Sequence, residues 1–303
     1  MGHPSLGRPP AILGIGKNYA DHAAELAEPG ALKLPEQPVL FMKNPASVIG
    51  PGDPIELPPV VCTDGREPPL GVDYEGELAV ILGCDARDVA EHDARSVIAA
   101  VTCANDVSQR WWQWHGGGSQ WCRGKSFDSF CPLGEPTPIS GLDDLQDLQL
   151  TTRLNGEVVQ RASTATMIFP VARLIAELSQ GTTLLAGTVI LTGTPAGVGM
   201  GRSPQRFLRD GDVVEVSIDK GLLTISDERE AAQAQILATS QKTGMDANSL
   251  LGVLEAGQAQ FNDLKFFADN IDKIATTAKA SGADATDLAS AMGYMRQAFG
   301  LTA

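Results

Sequence analysis

The stretch VDYEGELAVIL, residues 72–82, decides how the chain is read. Its second half is an apolar run of strand length, and its first half places Asp73, Glu75 and Glu77 at alternate positions. Successive side chains of a strand point to opposite faces, so an extended backbone puts all three carboxylates on one side. Like charges a few ångström apart repel strongly unless a cation neutralises them. Carboxylate oxygens at that spacing suit a hard divalent ion such as Mg²⁺ or Mn²⁺, and a solvated strand edge is the plain alternative.

Outward from this stretch, further apolar runs recur between turn signals: SVIAAVTCA (96–104), TVILT (188–192) and VVEVSI (213–218). In LTTRLNGEVVQ (150–160), Asn155-Gly156 between two β-prone arms predicts a hairpin. One amphipathic helix, VARLIAELS, follows Pro170. Many strands and few helices indicate a β-rich α+β domain, without the strand–helix alternation of a doubly wound sheet. All 19 prolines lie at or before Pro204, and from Arg229 onward alanine is the commonest residue. That shift divides the chain into a strand-rich domain, 1–228, and a helical extension, 229–303. In the extension Leu264, Phe267, Ile271 and Ile274 recur at helical spacing, as do Leu288, Met292 and Met295. Gly244 and Gly282 punctuate it, and Asp246 and Asp284 suit N-caps. Three or four amphipathic helices are expected there, as a packing or oligomerisation appendage.

The chain has 303 residues and a formal net charge of −14, which argues against a basic nucleic-acid binder and against adhesion to an anionic membrane. No apolar run approaches the roughly 20 residues of a membrane span. The opening MGHPSLGRPP lacks the apolar core of a signal peptide, so a cytoplasmic location is expected. Cys62, Cys84, Cys103, Cys122 and Cys131 are odd in number, widely spaced and free of any CxxC, which suggests reduced, mostly packed thiols.

Other residues invite chemistry. Asp106 ends an apolar run in TCANDVSQRWWQ, and Lys125 follows a glycine in QWCRGKSFD. In GIGKNYADHAAEL, His22 and Glu25 are three apart and share a face if the segment is helical. Glu25 would then orient His22 as a general base for water, although a pair at this spacing is more often surface decoration. All four tryptophans fall within residues 111–121, around Gly116-Gly117-Gly118. They form either a lid over substrate or packing under a sheet, and His115 among them has no expected role.

The stretches GIGKNYADHAAE, FMKNPASVIGPGDPI, VDYEGELAVILG, ANDVSQRWWQ, RGKSFDSFCPLG, RLNGEVVQ, VILTGTPAGVG and LRDGDVVEVSI follow one another across about residues 11–226. Together they resemble the fumarylacetoacetate hydrolase superfamily, in the short, core-only form of acylpyruvate and fumarylpyruvate hydrolases. The extension after Glu228 lies outside that pattern.

The resemblance implies a mixed β-sheet roll of the fumarylacetoacetate hydrolase C-terminal-domain type, assembled as a homodimer. It implies a divalent ion, Mg²⁺ or Mn²⁺, held by Glu75, Glu77 and Asp106, with Asp73 as a neighbour. His22 and Glu25 match the base dyad and Lys125 the active-site lysine. Arg110, Gln113 and Thr194 match substrate-binding positions, Thr194 offering its hydroxyl and backbone to a substrate carboxylate. The implied partner is a small 2-oxo or β-diketo acid. The implied reaction is hydrolysis of a carbon–carbon bond in an acylpyruvate-like substrate through a metal-bound enolate. Oxaloacetate decarboxylation or tautomerisation, and dehydration of a 2-oxo sugar acid, would use the same ligands. A rival of another class is a silent scaffold that binds partners through its helical extension. The long segment PVVCTDGREPPLGV (59–72) is expected to form a loop near the metal mouth.

Overall fold

Gly76–Leu82 forms a strand buried along its whole length, which is why ELAVIL reads as a continuous apolar run rather than an alternating one. The structure is a computed structural model. It describes residues 6–27, 30–58, 71–142, 144–218, 222–224, 239–246 and 264–281, together with 249, 250, 253, 285 and 287. The chain divides into two compact units, Met1–Ile225 and Ser226–Ala303.

The strands of the first unit are β1 Ile12–Gly16, β2 Val39–Lys43, β3 Val48–Ile49, β4 Val72–Asp73, β5 Gly76–Leu82, β6 Ile98–Asn105 and β7 Ser108–Gln109. They continue as β8 Cys131–Pro132, β9 Thr137–Pro138, β10 Gln149–Leu154, β11 Glu157–Ser163, β12 Val189–Leu191, β13 Val214–Ile218 and β14 Leu222–Thr224. A six-stranded sheet runs β2-β1-β12-β5-β6-β9, and a four-stranded sheet runs β11-β10-β13-β14. Within the larger sheet β1 and β12 are parallel and their neighbours antiparallel, so the sheet is mixed as expected. The helices of this unit are α1 Ala20–Glu25 and α2 Val171–Ser179, the latter being the one that follows Pro170.

Strand β5 has a core on each face. Leu78, Val80 and Leu82 join Val101 and Cys103 of β6, Leu150 of β10, Val216 and Ile218 of β13, and Ile175 of α2. Ala79 and Ile81 pack with Ile12, Val189, Leu191 and Leu133 in the other cluster. The hairpin β10–β11 turns at Asn155 and Gly156 with φ of 53° and 81°, the left-handed pair that an Asn-Gly turn supplies.

Several expectations change. Asp73, Glu75 and Glu77 do not share one strand: Asp73 ends β4, Glu77 lies in β5, and Tyr74 and Glu75 sit between them. Asp73 is not part of the group that Glu75 and Glu77 form with Asp106. Ser96 and Val97 belong to a 3₁₀ helix, Glu91–Val97, and the strand begins at Ile98. Among the described thiols, Cys103 and Cys131 are buried and Cys84 and Cys122 are exposed. Burial pushes the Cys131 thiol up to about 12, so it stays protonated. Cys62 and the rest of segment 59–70 lie outside the described residues.

In the second unit Leu264–Ser281 is a helix with Ile271 and Ile274 buried. Asp272 on it accepts hydrogen bonds from the Thr239 hydroxyl and, at 2.6 Å, from Lys242 Nζ. Asp246 accepts the Ser249 N–H at 3.1 Å, as an N-cap would. The Leu264 and Phe267 side chains, Gly282, Asp284, Leu288, Met292 and Met295 lie outside the described residues. No helix among the described residues is long and apolar enough to cross a membrane.

Candidate active site

The antiparallel register of β5 and β6 pairs Gly76 with Asn105, which brings the start of one strand beside the end of the other. Glu75 and Asp106 therefore meet, and the Asp106 N–H donates to the Glu75 carbonyl at 2.8 Å. Asn105 Oδ1 accepts the Glu75 N–H at 2.9 Å and fixes the turn into β5. Oxygen atoms of Glu75, Glu77 and Asp106 lie within 4.8 Å of one another, all three residues buried.

Three buried cations surround this cluster. Lys125 Nζ donates to Glu75 at 2.7 Å and also to Asp106. Arg110 holds Asp73 through Nε at 2.9 Å and Glu75 through Nη1 at 2.6 Å. Lys43 reaches Asp106 at 2.6 Å and the Val107 carbonyl at 3.2 Å. Asp73 also accepts N–H groups from Gly199 and Met200, at 2.8 and 2.9 Å, so it serves as an anchor for Arg110.

The titration follows from this arrangement. Burial by itself would raise the Glu75 carboxyl, but Lys125, Arg110 and His22 outweigh it and hold the group far below the usual carboxylate range. For Lys125 burial favours the neutral amine, yet Asp106 and Glu75 keep it protonated. Glu77 goes the other way. Burial, then the charges of Asp106 and Glu75, push its carboxyl well above the usual range, and its one direct donor among the described residues is the Gly193 N–H at 2.6 Å.

These residues fit a divalent cation. Four buried carboxylates face three buried cations, and Glu77 has no ion pair among the described residues. Oxygens that each lie about 2.0–2.6 Å from one ion cannot be more than about 5 Å apart, and this cluster meets that limit. The donor set is all oxygen, which suits Mg²⁺ or Mn²⁺. Ammonium contacts leave lone pairs on Glu75 and Asp106 for such an ion.

Above the cluster a cleft is lined by Lys17, His22, Glu75, Arg110, Gln113, Trp114, Trp121, Lys125 and Thr194, among others. Helix α1 is set between β1 and the cleft by Asn18, whose side-chain amide donates to the Phe169 and Thr192 carbonyls at 3.0 and 2.7 Å. His22 is buried, and its Nδ1 lies 2.7 Å from Glu25 Oε1. Glu25 Oε2 accepts the Gly197 N–H at 2.8 Å. Arg110 Nη1 donates to Gln113 Oε1 at 2.8 Å, which leaves the glutamine amide hydrogens for the cleft. The tryptophans form a wall, half-buried. Trp112–Gly116 is a π-helical turn carrying Trp114 to the cleft, Trp121 stands 5.8 Å from Trp114 by ring centroid, and Trp111 packs edge-on against Trp112. His115 is exposed.

All nine candidate site residues thus converge, while Thr194 is used differently from expectation. Its hydroxyl donates to the Gly76 carbonyl at 2.9 Å and accepts from Gln160 Nε2 at 2.8 Å. Gln160 Oε1 in turn accepts the Gly76 N–H at 3.0 Å, and Nε2 also donates to the Pro195 carbonyl at 2.8 Å. This closed ring grips the residue between Glu75 and Glu77. The hydroxyl proton is already committed to the Gly76 carbonyl. Sequence reading missed Gln160, Lys43 and Asn18. Lys43 carried a faint signal, being a charge on the inward-facing side of a strand beside Phe41. Gln160→Leu should leave the Gly76 N–H buried without a partner and cost about 1–3 kcal/mol of stability, read by urea denaturation.

A family model described as fumarylacetoacetate (FAA) hydrolase C-terminal matches residues 11–228. The human mitochondrial oxaloacetate tautomerase FAHD2A is 42% identical over 215 residues, which are 70% of this chain and 64% of that protein. The chain therefore spans just under two thirds of the length of that curated relative. An uncharacterised protein of Archaeoglobus fulgidus is 48% identical over 212 residues, 70% of this chain and 76% of its own. Among solved structures, a fumarylacetoacetate hydrolase from psychrophilic Exiguobacterium antarcticum superposes with a TM-score of 0.60 at 41% identity, over 72% of this chain and 74% of that one. A 5-carboxymethyl-2-hydroxymuconate delta-isomerase from Mycobacterium smegmatis gives 0.58 at 39% identity, over 72% and 77%. The match of motifs, fold and buried acidic cluster has one meaning: the chain belongs to the fumarylacetoacetate hydrolase superfamily.

Proposed function

We propose that this protein is a divalent-metal-dependent enzyme that hydrolyses a carbon–carbon bond in an acylpyruvate-like 2-oxo acid. The observation that carries the reading is the His22–Glu25 pair, 2.7 Å apart and lining the same cleft as Glu75 and Lys125. Glu75, Glu77 and Asp106 would hold the ion, which when bound supplies a Lewis acid for adjacent substrate oxygens.

Glu25 accepts the His22 Nδ1–H, which leaves Nε2 as the basic nitrogen. His22 takes a proton from water there, and the hydroxide adds to the carbonyl distal to the 2-oxo acid head. Lys125, fixed by two carboxylates, directs an N–H to the developing oxyanion. The carbon–carbon bond then breaks, its electron pair stays with the 2-oxo acid fragment, and the imidazolium returns the proton. Gln113 and the Thr194 backbone orient the head.

A second reading is keto–enol tautomerisation of oxaloacetate, which FAHD2A, 42% identical, is named for. The same base would move a proton between carbon and oxygen without breaking the skeleton. A panel of acetylpyruvate and oxaloacetate, assayed with Mg²⁺ and with a chelator, tests both. Release of pyruvate and acetate supports hydrolysis. Turnover confined to interconversion of the oxaloacetate enol, followed by its ultraviolet absorbance, would replace hydrolysis with tautomerisation.

The chemistry is assigned to residues 1–228. A chain shortened to that length should keep its kcat within about twofold, since the matched family region ends there. Steady-state kinetics and light scattering together check this and the homodimer. A soluble but inactive shortened chain would assign part of the site to the helical extension.

A further inference from the structure

Three cationic side chains line the cleft: Lys17, Arg110 and Lys125. Two are committed. Arg110 is held by Asp73 and Glu75, and Lys125 by Glu75 and Asp106. Lys17 has no ion pair or hydrogen bond through its side chain among the described residues. Its exposure is intermediate, so it is neither a freely solvated surface lysine nor a buried one.

The backbone places it there against its own preference. Lys17 has a φ of 57°, in the left-handed region that disfavours residues with a Cβ. The conformation is imposed from both sides. Gly16 ends β1, and Asn18 is fixed by its side-chain bonds to Phe169 and Thr192. Strain of this kind persists where the surroundings over-determine it, and it concentrates at ligand clamps. Trp114 and Trp121 line the same cleft, and apolar walls limit the water that would screen an ammonium group.

We propose that Lys17 is a specificity-determining residue that binds the far carboxylate of a dicarboxylic 2-oxo acid. The inference rests on the reading of the cleft as a 2-oxo acid site. The head of such a substrate carries one carboxylate and one carbonyl, which Gln113 and the Thr194 backbone serve. A second carboxylate needs a second cation that no protein carboxylate already occupies, and among the described residues of the cleft Lys17 meets this requirement. Substrates with a neutral tail would gain nothing from it.

The test compares oxaloacetate with acetylpyruvate, which carries the same head and an uncharged tail, on the full chain in Mg²⁺. Lys17→Met should raise KM for oxaloacetate roughly 10- to 100-fold, the loss of one charge-assisted hydrogen bond. Both kcat and KM for acetylpyruvate should stay near their original values. Lys17→Arg keeps the charge and should keep the discrimination, which separates the effect from a folding defect. Equal losses on both substrates, or an unchanged KM for oxaloacetate, would overturn the proposal. Calorimetric titration with oxaloacetate and with pyruvate keeps this distinct from the reaction itself. If the unmodified enzyme turns over neither substrate, the functional reading fails. The role of Lys17 then stands if oxaloacetate binds more tightly than pyruvate and Lys17→Met erases the difference. It falls if the difference survives.

Discussion

Glu77→Gln should abolish turnover, by about 10³-fold or more, because several kcal/mol of transition-state stabilisation leave with the ion. Of the four carboxylates buried among the described residues it is the one without an ion-pair partner there, so its charge is the one most dependent on an added cation. The substitution should also remove the gain in thermal stability on adding Mg²⁺. An ion that binds only the folded state at about 100 times its Kd contributes about 2.7 kcal/mol. In chelator the variant should be at least as stable as the parent, since a neutral amide replaces a carboxylate that burial disfavours. Thermal unfolding scans with Mg²⁺ and with EDTA give both readings. Full activity after exhaustive chelation would end the metal assignment.

The second large effect is expected at the base. His22→Ala should lower kcat by about 10²–10⁴-fold, the usual contribution of a positioned proton acceptor. The Mg²⁺-induced rise in melting temperature should persist, because His22 pairs with Glu25 and is not one of the three residues that would hold the ion. Glu25→Gln should show a smaller loss of the same kind, having kept the hydrogen bond in weaker form. Loss of metal binding in His22→Ala, with residual turnover per bound ion unchanged, would exchange the roles.

Much of this architecture was legible before any coordinates. The apolar run after Glu77, the Asn-Gly hairpin and the helix after Pro170 each follow from local chemistry, and each is found where the sequence puts it. Periodicity misjudged Asp73, because alternation along a sequence implies a shared face only if one strand continues, and the backbone breaks at Tyr74 and Glu75. Lys43 escaped because its partner Asp106 is 63 positions away, beyond the reach of any local pattern. Gln160 escaped for the same reason. Its three partners, Gly76, Thr194 and Pro195, come from two distant segments joined only by packing of the sheets.

The loop after β12 holds three acidic side chains with main-chain N–H groups alone: Gly193 on Glu77, Gly197 on Glu25, and Gly199 with Met200 on Asp73. A mutational scan of this loop would give an inverted picture of importance. Apart from Thr194, whose hydroxyl belongs to the ring around Gly76, exchanging its side chains leaves these donors untouched, so positions that hold the acidic groups would read as tolerant. The sensitive positions are ones with no side chain at all: a Cβ on Gly199 would stand 2.0 Å from the Arg206 carbonyl and 2.6 Å from Asp73 Oδ1, and one on Gly197, at φ 109°, would stand 2.0 Å from the Val159 carbonyl. Libraries meant to change what the enzyme accepts therefore belong around Trp114 and Trp121, while this segment is best inherited unchanged.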